Sequence, residues 1–246
     1  MMNETQPPVA IFGDIHANLP ALEAVMADMD SLGLDKRYCL GDLVGYGTEP
    51  NAVVSLIRQR AIPTIKGNYD QGVGNSSDDC GCAYQTEAAK ALGDRSIAWT
   101  NEHTTEDNKR FLRELPEQIS INIGSLQVLL VHGSPRRINE YLYEDRPDRS
   151  FERLLDEAEA DVLVCGHTHI PYHKQLPSGR HVINAGSVGK PKDGNPRACY
   201  LVLGVSDGIP DVRFVRVPYN LETAAQAIES TEMPDEFAQM LREGSG

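Results

Sequence analysis

The chain has 246 residues, 40% of them hydrophobic and 24% charged, which is enough apolar material for one large domain or two small ones around a real core. Twenty-three Lys and Arg stand against 36 Asp and Glu, a net charge of -13 that opposes general attraction to a nucleic-acid backbone. No apolar run approaches the roughly 20 residues needed to cross a bilayer, so a membrane-spanning protein is excluded.

The N-terminal MMNETQPP is polar and lacks the basic-then-apolar order of an export signal, so a cytoplasmic protein is expected. The first strand is the apolar run 9–12, ending in Gly13 and Asp14. Asn18 caps a following helix whose Leu22, Val25, Met26 and Met29 recur at helical spacing before Gly33 stops it. The unit repeats as strand RYCLGD, loop LVGYGTEP and a helix from about Asn51 to Arg60, then a third short strand in IPTIKGN. This order predicts a parallel sheet with crossover helices and ligands beyond the carboxyl ends of its strands.

Residues 71–82 read as a Gly/Ser/Asp loop, followed by helices over Thr86 to Thr100 and from the Thr104–Thr105 cap to Pro116. Together, residues 71–118 read as a helical insertion. A hairpin turning at Asn122 to Ser125 leads to His132, and a helix over Ser150 to Ala160 leads to strand DVLVCGHTH. The remaining strands, around HKQL, RHVINAG, ACYLVLGV and VRFVRVP, predict a second, more antiparallel sheet. Residues 220–243 read as a packing tail of one or two amphipathic helices, and the whole chain, 1–246, as a single domain.

Five cysteines, an odd and scattered count, read as reduced thiols. Cys80 and Cys82 form a CxC pair able to bind metal or to oxidise, but no second pair completes a structural zinc site.

Five apolar strands end in polar clusters flanked by glycine: GDIHAN (13–18), GDLVGYG (41–47), GNYD (67–70), VHGS (131–134) and GHTH (166–169). Each cluster alone is weak; two imidazoles in GHTH fit a hydrogen-bonded turn, half a metal site, or a base beside a bystander. Jointly they place oxygen and nitrogen donors, without thiols, at corresponding strand ends, a set suited to borderline-hard divalent ions. His103, His173 and His181 stand outside the clusters and read as surface or hairpin residues.

The series GDIHAN, GDLVGYG, GNYD, VHGS and GHTH, with NAGSVGKPKDG after it, resembles the calcineurin-like metallophosphoesterases, closest to their small bacterial and archaeal phosphodiesterase branch. The resemblance implies a four-layer α/β sandwich: two mixed sheets packed face to face, helices outside, and a two-metal site at one sheet edge. Carried over by residue, Asp14, His16 and His169 would hold one metal, Asn68, His132 and His167 the other, and Asp42 would bridge them. The two imidazoles of GHTH would then serve neighbouring ions, which requires a tight turn there, since strand alternation would send both the same way. The implied cofactors are two divalent ions among manganese, iron, nickel and zinc, with manganese favoured. The implied reaction is hydrolysis of a phosphate ester by a water held between the ions.

Many members of that family carry histidine after the asparagine, where it can protonate a leaving alcohol; this chain has Tyr69, then Asp70. A phenol near pKa 10 is a poorer donor than an imidazolium near 6.5, which favours diesters with acidic leaving groups over alkyl monoesters. Asn68, Tyr69, Asp70 and His132 are thus the candidate catalytic residues, and Asn68, Arg136 and Arg137 the candidate phosphate contacts, ahead of Lys190 and Lys192. His103 is a lesser candidate for a substitute acid carried by the insertion. The expected partner is a small phosphorylated substrate, nucleotides included; the oligomeric state is left open. The rival readings are a phosphomonoesterase, a nucleotide pyrophosphohydrolase, and a scaffold of this fold without metals.

Overall fold

The computed structural model describes residues 7–246; the expectation about export rests in part on residues 1–6, which lie outside it. Strands β1 (Val9–Phe12) and β2 (Arg37–Cys39) flank helix α1 (Leu19–Ser31), and α2 (Pro50–Gln59), α3 (Asn68–Gly74), α4 (Glu87–His103) and α5 (Glu106–Glu114) follow. Then come β3 (Gln118–Ile123), β4 (Leu126–Val131), α6 (Asp148–Ala158), β5 (Val162–Cys165), β6 (Tyr172–Gln175) and β7 (His181–Asn184). The chain closes with β8 (Ala198–Ser206), β9 (Ile209–Val217), α7 (Leu221–Glu229) and α8 (Glu236–Glu243).

The strands form two mixed sheets, ordered β2-β1-β8-β9 and β3-β4-β5-β7-β6. Strand alternation sorts their side chains into layers. Val9, Ile11, Leu201 and Leu203 of one sheet meet Val128, Leu130, Val162 and Val164 of the other in a core between the sheets. The alternate residues Ala10, Phe12, Tyr200 and Val202 face outward against α1 and α2, while Leu129, Val131, Leu163 and Cys165 face Phe151, Leu154 and Leu155 of α6. The result is the expected four-layer sandwich. Strands β1, β4, β5 and β8 are buried on both faces, which is why they read as continuous apolar runs.

Three local expectations change. The last four strands do not make a sheet of their own: β7 pairs parallel to β5, with Val162 opposite His181, whereas β8 inserts beside β1, with Ile11 opposite Leu201. Pairing partners this distant in sequence leave no local signal. The third strand shrinks to one bridge between Cys39 and Thr64, because Pro63 has no N–H for a ladder. Residues 71–74 are helical, drawn into α3 by the burial of Tyr69 and Val73.

The cap signals hold at Asn18 and Thr105, which accept a backbone N–H from the first turn of α1 and α5, and Thr86 does the same for α4. Helices α7 and α8 bury Ala225, Ile228, Phe237 and Leu241 in a separate core that Tyr46 and Trp99 join. Among the described residues no helix is long and apolar enough to cross a membrane.

Candidate metal centre

The polar strand ends converge. After β1, the backbone N–H of Asp14 donates to Gly41 O, and those of Ile15 and His16 both donate to Asp42 O, each at 2.9 Å, so the first two loops brace each other. Asp14, His16, Asp42, His167 and His169 all adopt left-handed backbone, with φ between 50° and 65°. For residues with a Cβ this costs roughly 1 to 2 kcal/mol apiece, which the surrounding bonds must offset. The GHTH segment leaves β5 at once: Thr168 N–H turns back to Gly166 O at 2.7 Å, and Thr168 Oγ1 accepts from Asn184 Nδ2 at 3.0 Å. The turn sends the two imidazoles to different places.

Those places are two buried groups, Asp14 with His16 and His169, and Asp42 with His132 and His167. In three of the four histidines Nδ1 lies at a backbone carbonyl: His16 at Val44 O (3.0 Å), His132 at Leu40 O (2.8 Å) and His169 at Lys190 O (2.6 Å). A carbonyl only accepts, so each Nδ1 carries the hydrogen, and in the neutral rings of His16 and His169 Nε2 presents a lone pair inward. Yet Nε2 of His16 and of His169 face each other at 3.1 Å, and Nε2 of His132 faces Asn68 Oδ1 at 3.0 Å and Asp42 Oδ2 at 3.4 Å. The facing lone pairs of His16 and His169 repel unless a cation lies between them. Two donors each about 2.1 Å from one ion stand roughly 3 Å apart, so the spacing fits.

Two further atoms point the same way: Asp14 Oδ1 and His167 Nε2 are buried with no hydrogen-bond partner. Asp42 Oδ2 lies 3.6 Å from His16 Nε2 in the first group and 3.4 Å from His132 Nε2 in the second, while Asp42 Oδ1 is fixed by the N–H of Tyr69 at 2.9 Å. The donor set therefore fits divalent ions.

The electrostatics agree. Burial, with neighbouring positive groups, holds His167 and His169 well below the usual imidazole range. Burial likewise lowers His16 to about 3. His132 goes the other way: burial opposes its charge, but the Asp42 and Asp14 carboxylates prevail and push it up to about 10. Asp14, desolvated, is raised.

The calcineurin-like phosphoesterase superfamily domain matches residues 8–208. The chain belongs to that superfamily. It is 34% identical to an uncharacterized protein of Methanocaldococcus jannaschii, over 95% of this chain and 96% of that protein. Among solved structures it is similar to a metallophosphoesterase from Sphaerobacter thermophilus, with 29% identity, a TM-score of 0.75, and 97% and 99% of the two chains covered. A hypothetical protein from Pyrococcus horikoshii OT3, at 24% identity, shares the fold with a TM-score of 0.83 over 98% and 99% of the chains. The superfamily and the two ligand groups together make this chain a metal-dependent phosphoesterase, a hydrolase acting on a phosphorylated substrate.

Around this phosphoesterase's centre the other candidates take different places. Both oxygens of Asp70 accept backbone N–H groups at 2.9 Å, from Leu43 and Gly67, so Asp70 ties the second strand-end loop to α3. Burial and the Asp42 charge raise it to about 7 against those bonds. Tyr69 is buried, its hydroxyl 3.4 Å from Ser96 Oγ and its ring against Tyr46, in space that Gly45 leaves by lacking a Cβ. Burial holds its phenol well above 10, so it packs and is a poor proton donor. His103 is exposed, stacked on Trp99 with ring centroids 3.8 Å apart and Nδ1 at Trp99 O, which removes it as a substitute acid. Arg136 gives two guanidinium nitrogens to Glu157 on the surface, and Arg137 is exposed.

Lys190 and Lys192 lie within electrostatic reach of the ligands. Burial lowers both, Lys190 strongly, and Lys190 Nζ lies 5.0 Å from the Tyr46 ring centroid. Sequence reasoning missed Tyr141, whose ring centroid is 4.1 Å from that of His167, and Ser187, whose hydroxyl donates to Asp14 O at 2.7 Å. It also missed that α7 and α8 wall a cavity reaching His16, Tyr46 and Lys190, lined there by Phe237 and Leu241. The GKPKDG segment was the one available signal for the lysines; nothing local announces Tyr141.

Proposed function

We propose that the chain is a phosphodiesterase working with two divalent ions, manganese favoured, in the cytoplasm. The observation that carries this reading is the position of Asp42 Oδ2, within 3.6 Å of a ligand nitrogen in each group. Asp14, His16 and His169 would hold one ion and Asn68, His132 and His167 the other, with Asp42 shared. When bound, such a pair supplies a water of lowered pKa and polarises the phosphoryl oxygens it faces.

The chain's own residues do the rest. The carbonyls of Val44, Leu40 and Lys190 fix the histidine tautomers, and Tyr69 N–H fixes Asp42. Lys192 lies within electrostatic reach of Asp14 and His169 and, while protonated, can take a phosphoryl oxygen as charge builds in the transition state. With Tyr69 packed and His103 exposed, neither stands ready to protonate a poor leaving group, which favours acidic alcohols.

Metal content and turnover of bis(p-nitrophenyl) phosphate, against p-nitrophenyl phosphate, with and without added manganese, test this reading. Diester hydrolysis dependent on metal, and its loss in Asp42→Asn, is the expected result. The reading fails if saturating metal gives no hydrolysis and Asp42→Asn changes nothing.

A further inference from the structure

Above Asn68 lies the loop joining α3 to α4, and it carries the CxC pair that the reaction leaves unused. Gly81, between the two cysteines, takes a left-handed backbone with φ of 69°, which folds the tripeptide so that Cys80 Sγ and Cys82 Sγ face each other at 3.0 Å. The loop is anchored on both sides. Asn68 Nδ2 donates to Cys80 O at 3.0 Å and to Cys82 Sγ at 3.3 Å, and Asn139 Nδ2 donates to Gly81 O at 2.8 Å. Gly81 is exposed and Cys82 half-buried, so a small oxidant has access. The other three cysteines are buried on β2, β5 and β8, away from this loop.

We propose that Cys80 and Cys82 are a redox modification site, a dithiol that closes to a disulfide and thereby loosens the hold of Asn68 on the centre. The oxidant class is a peroxide. One sulfur, as thiolate, attacks the O–O bond, becomes a sulfenic acid and releases water. The second sulfur then attacks the sulfenic sulfur, forming the S–S bond and expelling a second water. Two thiols and one hydrogen peroxide thus give one disulfide and two waters, with two electrons passing from sulfur to oxygen.

A disulfide is about 2.05 Å long, so the sulfurs must close by about 1 Å from where they stand. Closure by movement of Cys82 draws its Sγ off Asn68 Nδ2 and leaves that amide on Cys80 O, while its other atom, Oδ1, sits at His132 Nε2. Losing an outer partner of a ligand lowers metal affinity roughly tenfold or more. The effect on the centre rests on the two-ion reading; formation of the disulfide does not.

The full chain, reduced or treated with hydrogen peroxide, is measured two ways: mass of the peptide carrying both cysteines, and manganese affinity by calorimetry. Expected are the loss of two hydrogens, reversed by dithiothreitol, and a roughly tenfold weaker manganese affinity in the oxidised form. Cys80→Ser, treated alike, should show neither change. A folded protein that keeps both thiols under peroxide overturns the modification site. A disulfide that leaves manganese affinity unchanged overturns its control of the centre, as does an equal fall in Cys80→Ser. Failure of the reduced protein to bind manganese overturns the metal reading and the coupling, while the mass still decides the disulfide.

Discussion

Gly67→Ala is a sharp perturbation of the centre, because it adds one carbon and touches no ligand chemically. Gly67 has φ of -92° and ψ of 173°, where alanine is unstrained, so the backbone is not the obstacle. The obstacle is Asp42: the new Cβ would stand 2.0 Å from Oδ1 and 2.3 Å from the backbone N, whereas real Cβ contacts essentially never fall below 3.0 Å. Asp42 or the start of α3 must therefore move by about 1 Å, and a displacement of that size at a reacting centre costs on the order of 100-fold in rate. Overpacking adds about 1 to 3 kcal/mol of destabilisation. Parting Tyr69 N–H from its charged acceptor adds a further 1.5 to 3 kcal/mol or so. At about 2 to 4 °C for each kcal/mol in a chain of this size, the melting temperature should fall by roughly 10 °C. Diester turnover at saturating manganese, manganese titration and thermal melting read the three effects. Gly72→Ala is the control, since its nearest contacts are 3.1 Å away and it lies in α3, the helix that Gly67 caps. If Gly67→Ala binds manganese and turns over like the native chain, Asp42 is not held where the centre needs it.

In the metal-free protein His132, raised to about 10, contributes stability in full below 6.5 and loses it as pH rises through 10; the slope, up to about 1.4 kcal/mol per unit, is read by urea unfolding across pH 6 to 10. The same proton must leave when a cation binds, so manganese affinity should rise with pH over that window and calorimetry in buffers of different ionisation heat should show about one proton released. Lys192→Ala should raise KM for the diester severalfold, whereas Arg136→Ala, which breaks only a solvent-screened surface pair, should leave turnover and melting nearly unchanged; the reverse pattern would return the phosphate to the arginine. His103→Gln should slow neither nitrophenyl nor alkyl esters, and a selective loss on the alkyl ester would reinstate it as the acid.

What the sequence disclosed was the ends of the strands. Glycine-flanked GD, GN, HG and GH clusters show because a chain leaving a buried strand must turn at once, and only certain residues permit that. The turn in GHTH was legible once the family resemblance assigned its two histidines to separate ions, since a continuing strand could not serve two sites. Roles that depend on contacts across the fold were not legible. Asp70 reads as part of a catalytic motif, yet its oxygens are used by Leu43 and Gly67, 27 and 3 residues away. Arg136 follows the histidine of β4 closely and still turns to Glu157, because a helix supplies that carboxylate from 21 residues further on. The placement of β8 beside β1, some 190 residues apart in the chain, depends on which sheet has an open edge with both faces covered.

Five of the seven candidate ligands occupy a backbone conformation that glycine would enter freely. At those positions the fold and the chemistry want different amino acids: each Asp or His swapped for glycine would relieve local strain while deleting a donor. Stability screens of this chain should therefore be drawn toward the very substitutions that silence it, and a thermostable variant found that way needs its metal content checked before its melting temperature is admired.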